Sequence, residues 1–257
     1  MQTSSASNEG KTTTILKAAW LIAVVTVISK LVGFLRDVII ANYYGASVVS
    51  DAYFYAYQIP ALAVILLGGI GGPFHSATVA VFTKIVPNLK EKPPEVAEKL
   101  FNTFLTASFI FFTILTIIFF LFSHQIMSLI ISDGNAQLVD LASTHLRIMC
   151  PSLIIGGLIG IYYGILISYK EFILPSLSPI VVSVVIIGAL MITGGDKTGV
   201  VLASATIVGA LCQLLLQMPR VRQLGYKIRP NFDFVNNANF NSILELLFPA
   251  ILSSTIG

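Results

Sequence analysis

Runs of about twenty apolar residues recur along this chain with only short polar breaks between them, and that recurrence constrains the fold more than any single motif. At 1.5 Å of rise per residue, a helix of about 20 apolar residues crosses the roughly 30 Å of hydrocarbon in a bilayer. Of the 257 residues 56% are hydrophobic and 11% charged, against about 25% charged in an ordinary soluble chain. Fifteen Lys and Arg with twelve Asp and Glu are too few to solvate a soluble domain with so much apolar side chain. The reading is an all-α polytopic membrane protein, which excludes a soluble enzyme. The net charge of +3 is small and gathered in a few loops, so it speaks about membrane orientation and gives no support for nucleic acid as a partner.

Residues 1–17 are rich in Ser, Thr and Asn and read as a disordered cytoplasmic tail ahead of a helical lobe at 18–257. The first apolar run has no small-residue cleavage pattern at its end, so it is kept as a spanning helix at 18–41. Further spans are expected at 52–86, 100–122, 146–169, 172–192 and 199–218, with an incomplete seventh at 241–257. Gly68, Gly69, Gly71, Gly72 and Pro73 interrupt the second. Missing side chains and a missing N–H there predict a kink or an unwound turn facing protein or water. The polar stretch 136–149 fits either a separate interfacial helix or the protruding start of the fourth span, with a kink at Pro151. Six full spans and the start of a seventh give the picture of a chain cut within its last helix.

Basic residues near span ends are retained on the cytoplasmic side. Lys11 and Lys17, then Lys84, Lys90, Lys92 and Lys99, then Lys170, then Arg220, Arg222, Lys227 and Arg229 all fall on one side of the expected spans. The opposite loops hold only Arg147 and Lys197, beside Asp51, Asp133, Asp140 and Asp196. The amino terminus is therefore expected in the cytoplasm.

Lys30, Arg36 and Asp37 lie within the first span. A charge at membrane depth costs about 2.5 to 3.5 kcal/mol on insertion scales, so it normally faces a polar cavity. Lys30 and Asp37 are seven positions apart on one helix face, with Arg36 about 100° away. On position alone Arg36 and Asp37 fit either the cavity or an interface to which they snorkel. Cations in a membrane cavity predict an anionic substrate, since Arg grips phosphate oxygens in bidentate fashion.

Asp51 opens the second span, where Ser50 or Asp51 can cap the helix and oppose its dipole. His75 follows the glycine break and fits either a substrate contact or a packing role; His124 and His145 sit near span ends. Cys150 and Cys212 are far apart in apolar surroundings, the pattern of buried thiols. No metal-ligand spacing, nucleophile set or phosphate-binding glycine loop occurs, so no metal, cofactor or catalysis is expected.

The run Ser29-Lys30-Leu31-Val32-Gly33-Phe34-Leu35-Arg36-Asp37, followed by Gly45-Ala46, Asp51-Ala52-Tyr53-Phe54 and Ile59-Pro60, resembles the opening of the MurJ/MviN lipid II flippases of bacteria. Tyr169-Lys170, Phe172, Pro175 and Pro179 resemble that family's loop after the fourth helix; Gly209-Ala210, Gln213-Leu214, Gln217-Met218-Pro219 and Gly225 resemble its sixth helix and following loop. Phe248-Pro249-Ala250-Ile251-Leu252 resembles the start of its seventh.

The resemblance implies the N-terminal lobe of a two-lobe, fourteen-helix transporter of the multidrug/oligosaccharidyl-lipid/polysaccharide exporter superfamily. It implies alternating-access movement of lipid II, the undecaprenyl-pyrophosphate-linked muropeptide, across the bacterial inner membrane for cell wall synthesis. The second lobe and membrane lipid would be its partners, and no covalent chemistry would occur. The family's first-helix cavity cations fall on Lys30 and Arg36, with acidic neighbours on Asp37 and Asp51. Two positions depart. Lys30 stands where the family commonly has Arg, keeping the charge and losing the planar fork. Val64-Ile65 and the glycine-rich 69–73, with Phe74, His75 and Ser76, replace the second-helix Arg pair and Glu-Gly-Ala-Phe-Ser stretch, leaving His75 as a candidate source of polarity. The alternatives are an exporter of another lipid-linked oligosaccharide and a non-transporting membrane interaction protein.

Overall fold

The computed structural model describes residues 3–63, 72–86, 92–131, 135–234 and 238–256. Among these, the elements are α1 (Thr3–Tyr44), α2 (Val48–Ala63), α3 (Pro73–Ile85), α4 (Glu95–Leu121) and α5 (Ser123–Ile130), followed by α6 (Ala136–Met149), α7 (Ser152–Ser168), α8 (Ile173–Thr193), α9 (Val200–Gln223) and α10 (Ala238–Ile256). No strand occurs among the described residues. Helices suit a hydrocarbon surrounding, because a helix satisfies its backbone N–H and C=O groups within one segment. α1 begins at Thr3 and so takes in most of the stretch whose composition reads as a tail.

α4, α8 and α9 are each long and apolar enough to cross a membrane, and α6 with α7 makes a fourth such unit bent by 44°. The bend falls at the expected Pro151, whose ring is incompatible with a straight continuation. α6 packs against α2 and buries Leu138, Val139, Ala142, Leu146 and Met149. It belongs to the bundle and does not lie apart at an interface. Of the expected glycine break, Gly68, Gly69 and Gly71 lie outside the described residues, as do Val64 and Ile65. α2 ends at Ala63, and α3 starts after the extended N-cap Gly72 with Pro73 at its first helical position, where a missing N–H costs nothing.

α7 is the hub. It is apolar on every side and packs against α3, α4 and α9, as a helix surrounded by others must. Its glycines allow the approach: a Cβ on Gly157 would lie 2.1 Å from the Phe112 ring, and one on Gly164 would lie 2.4 Å from Thr78 Cβ. Around this hub Phe74 stacks on Phe104 at 5.4 Å and Phe101 meets Tyr226 at 5.0 Å. A second core at the other end joins Ile40, Tyr53, Met127, Met149, Ile186 and Leu202. The two free thiols, Cys150 and Cys212, are buried and partly buried.

Each end is tied by a polar residue. At one, Asn102 Nδ2 donates to the Lys227 carbonyl and its Oδ1 accepts from the Arg229 N–H, both at 2.9 Å, strapping the segment before α10 onto α4. At the other, the Asp196 carboxylate accepts from the N–H groups of Val200 (3.0 Å) and Val201 (3.1 Å), capping α9. It also accepts from the Tyr44 hydroxyl at 3.1 Å, fastening the end of α1.

Candidate functional site

Between α1, α2, α8 and α9 lies a cavity of about 770 Å³. Thr26, Ser29, Lys30, Gly33, Arg36 and Asp37 line it from α1, the three-and-four spacing of a single helix face. Tyr57 contributes from α2, Ser176, Pro179, Val182 and Ser183 from α8, and Gln213 from α9.

Sequence spacing placed Lys30, Arg36 and Asp37 together, and the structure puts all three on this wall. It adds that Arg36 and Asp37 are paired. Asp37 Oδ1 accepts from Arg36 Nε at 2.9 Å and from Nη2 at 2.7 Å, with Arg36 the less exposed partner. One carboxylate oxygen thus takes two of the five guanidinium donors, and the remaining ones stay available to a second anion. Lys30 makes no ion pair among the described residues. The α1 wall is therefore one unpaired ammonium beside a largely neutralised but still donor-rich guanidinium.

Asp51 and His75 are not brought to this wall. Asp51 is exposed in the first turn of α2. The cap itself is made by two serines: Ser50 Oγ accepts from the Ser47 N–H at 3.2 Å and Ser47 Oγ from the Ser50 N–H at 3.4 Å. This is a capping box with serine on both sides. His75 stands in the first turn of α3, half-buried, with an Nδ1 that meets no hydrogen-bond partner among the described residues.

The opposite wall escaped the sequence reading as a site, although its polar residues on apolar spans were a visible signal. Pro179 interrupts α8 and has no N–H for the carbonyl of Pro175 four residues back. Ser178 Oγ donates to that carbonyl at 3.1 Å. Having given its proton there, Ser178 accepts from the Tyr163 hydroxyl at 2.6 Å and from Gln217 Nε2 at 3.3 Å. Tyr163 in turn accepts from Gln213 Nε2 at 2.7 Å. A single proline thus explains a buried knot of α7, α8 and α9 whose outermost member, Gln213, reaches the cavity.

A second groove of about 490 Å³, mostly apolar, is lined by Ile22, Lys170 and Phe172 among others. Its Arg220 is held by Glu171 through Nε at 2.9 and 2.7 Å, so with Lys170 it carries the same charge balance as the α1 wall on a more apolar lining.

The family model described as lipid II flippase MurJ matches residues 40–257. The chain is 34% identical to the probable lipid II flippase MurJ of Synechocystis over 249 residues, 92% of this chain and 45% of that protein. It is 32% identical to the protein of the same description from Buchnera aphidicola subsp. Acyrthosiphon pisum, over 94% of this chain and 47% of that one. Among solved structures, a lipid II flippase MurJ in an inward closed conformation superposes with a TM-score of 0.72 at 23% identity, over 92% of this chain and 48% of the other. The MATE transporter VcmN of Vibrio cholerae superposes with a TM-score of 0.73 at 16% identity, over 95% and 55%. The chain spans about half the length of the curated relatives it matches.

Proposed function

The chain belongs to the lipid II flippase MurJ family, and on that premise we propose that it forms one lobe of a transporter carrying lipid II from the cytoplasmic to the outer leaflet. The observation that supports this most is the α1 wall, where Lys30 and Arg36 face a cavity between helices. A pyrophosphate is the group such a wall suits, since an ammonium supplies point charge and a guanidinium supplies directed donors. Asp37 holds Arg36 in place through one oxygen, so an incoming anion gains the guanidinium's unused donors without first breaking the pair. The prenyl tail stays in lipid while the head group occupies the cavity. A second lobe completes the alternation, because the cavity must open in turn to either side. No bond is made or broken, so this reading is of a transporter and not an enzyme. The amino terminus is cytoplasmic by the distribution of basic residues. Asp51 and His75 do not line the cavity, and the head-group contacts fall to Lys30 and Arg36.

The test is the leaflet distribution of lipid II in cells depleted of the protein and rescued by the native gene or by Lys30→Ala or Arg36→Ala. Outer-leaflet lipid II is read by its accessibility to an externally added degrading enzyme. Each variant is expected to insert in the membrane at the native level yet leave lipid II inside. Normal outer-leaflet lipid II with either variant as sole copy overturns the assignment of these cations. Normal export after depletion itself, with no second flippase active, turns the reading toward another lipid-linked oligosaccharide.

A further inference from the structure

The two walls of the cavity differ in kind. Charge is confined to α1 at Lys30, Arg36 and Asp37, whereas α8 and α9 present Ser176, Ser183 and Gln213, all uncharged. The orientation of Gln213 is set by a directional chain of protons. With the Ser178 proton on the carbonyl freed by Pro179, Tyr163 donates to Ser178 and has only lone pairs left for Gln213. The Gln213 amide nitrogen is thereby turned inward, onto Tyr163 at 2.7 Å and Ser178 at 3.3 Å. Its Oε1 meets no protein donor among the described residues, which leaves an acceptor for the cavity. Gln217 braces the same knot through Ser178.

A fixed acceptor disfavours an anion, whose oxygens are acceptors too, and favours a neutral O–H or N–H. Resting on the reading of the protein as a carrier of a pyrophosphate-linked sugar lipid, the geometry points to Gln213, with Ser183 on the same uncharged lining, as the determinant that recognises the sugar's hydroxyl or amide donors. The substrate is thus oriented across the cavity, pyrophosphate toward α1 and sugar toward α9. The knot makes the contact selective, because Gln213 is already ordered before the substrate arrives and loses little freedom on binding it. A site built to accept such a hydrogen bond discriminates against a ligand without the donor.

The experiment uses the full-length protein in detergent and two probes, undecaprenyl pyrophosphate and the same lipid bearing its disaccharide. Gln213→Leu is expected to weaken the sugar-bearing lipid about five- to tenfold, the worth of roughly one hydrogen bond, and the bare pyrophosphate less than about twofold. Ser183→Ala, which lies outside the knot and spares its hydrogen bonds, should show the same selective loss at smaller size and decides the matter if Gln213→Leu fails to accumulate. Lys30→Ala should weaken both lipids by the same factor. Equal losses for the two lipids in both wall variants, or no loss in either, overturn the assignment of the sugar wall while leaving the α1 reading intact. If the native protein binds neither lipid, the proposed function falls and this inference with it, an outcome distinguished by the native control alone.

Discussion

α1 and α7 are both apolar helices punctuated by glycine, yet a methyl group added to each meets opposite surroundings. On α7, a Cβ at Gly164 would sit 2.4 Å from Thr78 Cβ; on α1, a Cβ at Gly33 would meet nothing within 4 Å. The α7 glycines bring neighbouring helices close, and the residue opposite is rigid: Thr78 is fully buried and its hydroxyl is bound to the Phe74 carbonyl at 2.6 Å. The α1 glycine stands on the cavity wall among Lys30, Arg36 and Phe34. One helix spends its small residues on packing and the other on open space, so a lesion in α7 acts on stability and a lesion in α1 acts on what the cavity holds.

The largest effect that tests this contrast is Gly164→Ala. Its methyl falls against an atom attached directly to the α3 backbone, so α3 or α7 must shift, and we expect a loss of about 1 to 3 kcal/mol in stability. Thermal unfolding of the purified protein checks it, and an unchanged transition would deny α7 its role as the packing hub.

A middle-sized effect concerns how α1 is fastened. Partial burial of Asp196 favours its neutral form, but hydrogen bonds from Thr198, Val201, Tyr44 and Val200 outweigh it and hold the carboxyl below the ordinary 3.8. A carboxyl depressed in the folded state contributes stability above its unfolded pKa and loses it as pH falls through the folded value. Stability from this group should therefore be constant above about pH 4 and decline below it. Asp196→Asn should remove that portion of the acid dependence, seen as a smaller difference between native and variant unfolding temperatures at low pH than at neutral pH. A difference independent of pH would mean that the carboxylate's charge contributes nothing to anchoring Tyr44 and α9.

Gly33→Ala should have the smallest effect on stability, a change within about 1 kcal/mol and in the stabilising direction, since the methyl meets no neighbour and the unfolded chain loses freedom. Destabilisation comparable to that of Gly164→Ala would erase the distinction between the two helices.

Much of this was legible in the chain. Long apolar runs fixed the helical class because hydrocarbon admits few alternatives, and Pro151 marked a bend that the structure measures at 44°. Lys30, Arg36 and Asp37 were visible because charge on an apolar span is costly enough to need a reason. Less legible was the stretch 136–149, whose moderate polarity suits an interface and a bundle equally; its burial against α2 depends on a partner remote in sequence. Ser50 or Asp51 was the expected cap of α2, and it is Ser50 that serves, in a box with Ser47. His75 drew notice by following the glycine break, and the structure places it in the first turn of α3, not among the residues that line the cavity.

Sequence by itself determined the helical class and the cations of α1, since these follow from long apolar runs and the cost of charge in hydrocarbon. Only the tertiary structure decided that Arg36 spends two donors on Asp37, and that the proton Pro179 cannot give the Pro175 carbonyl is supplied by Ser178, in a chain that ends at Gln213 on the cavity. Those outcomes join residues up to fifty positions apart. They depend on which hydroxyl has already given its proton away, a matter of three-dimensional neighbours that no spacing along the chain encodes.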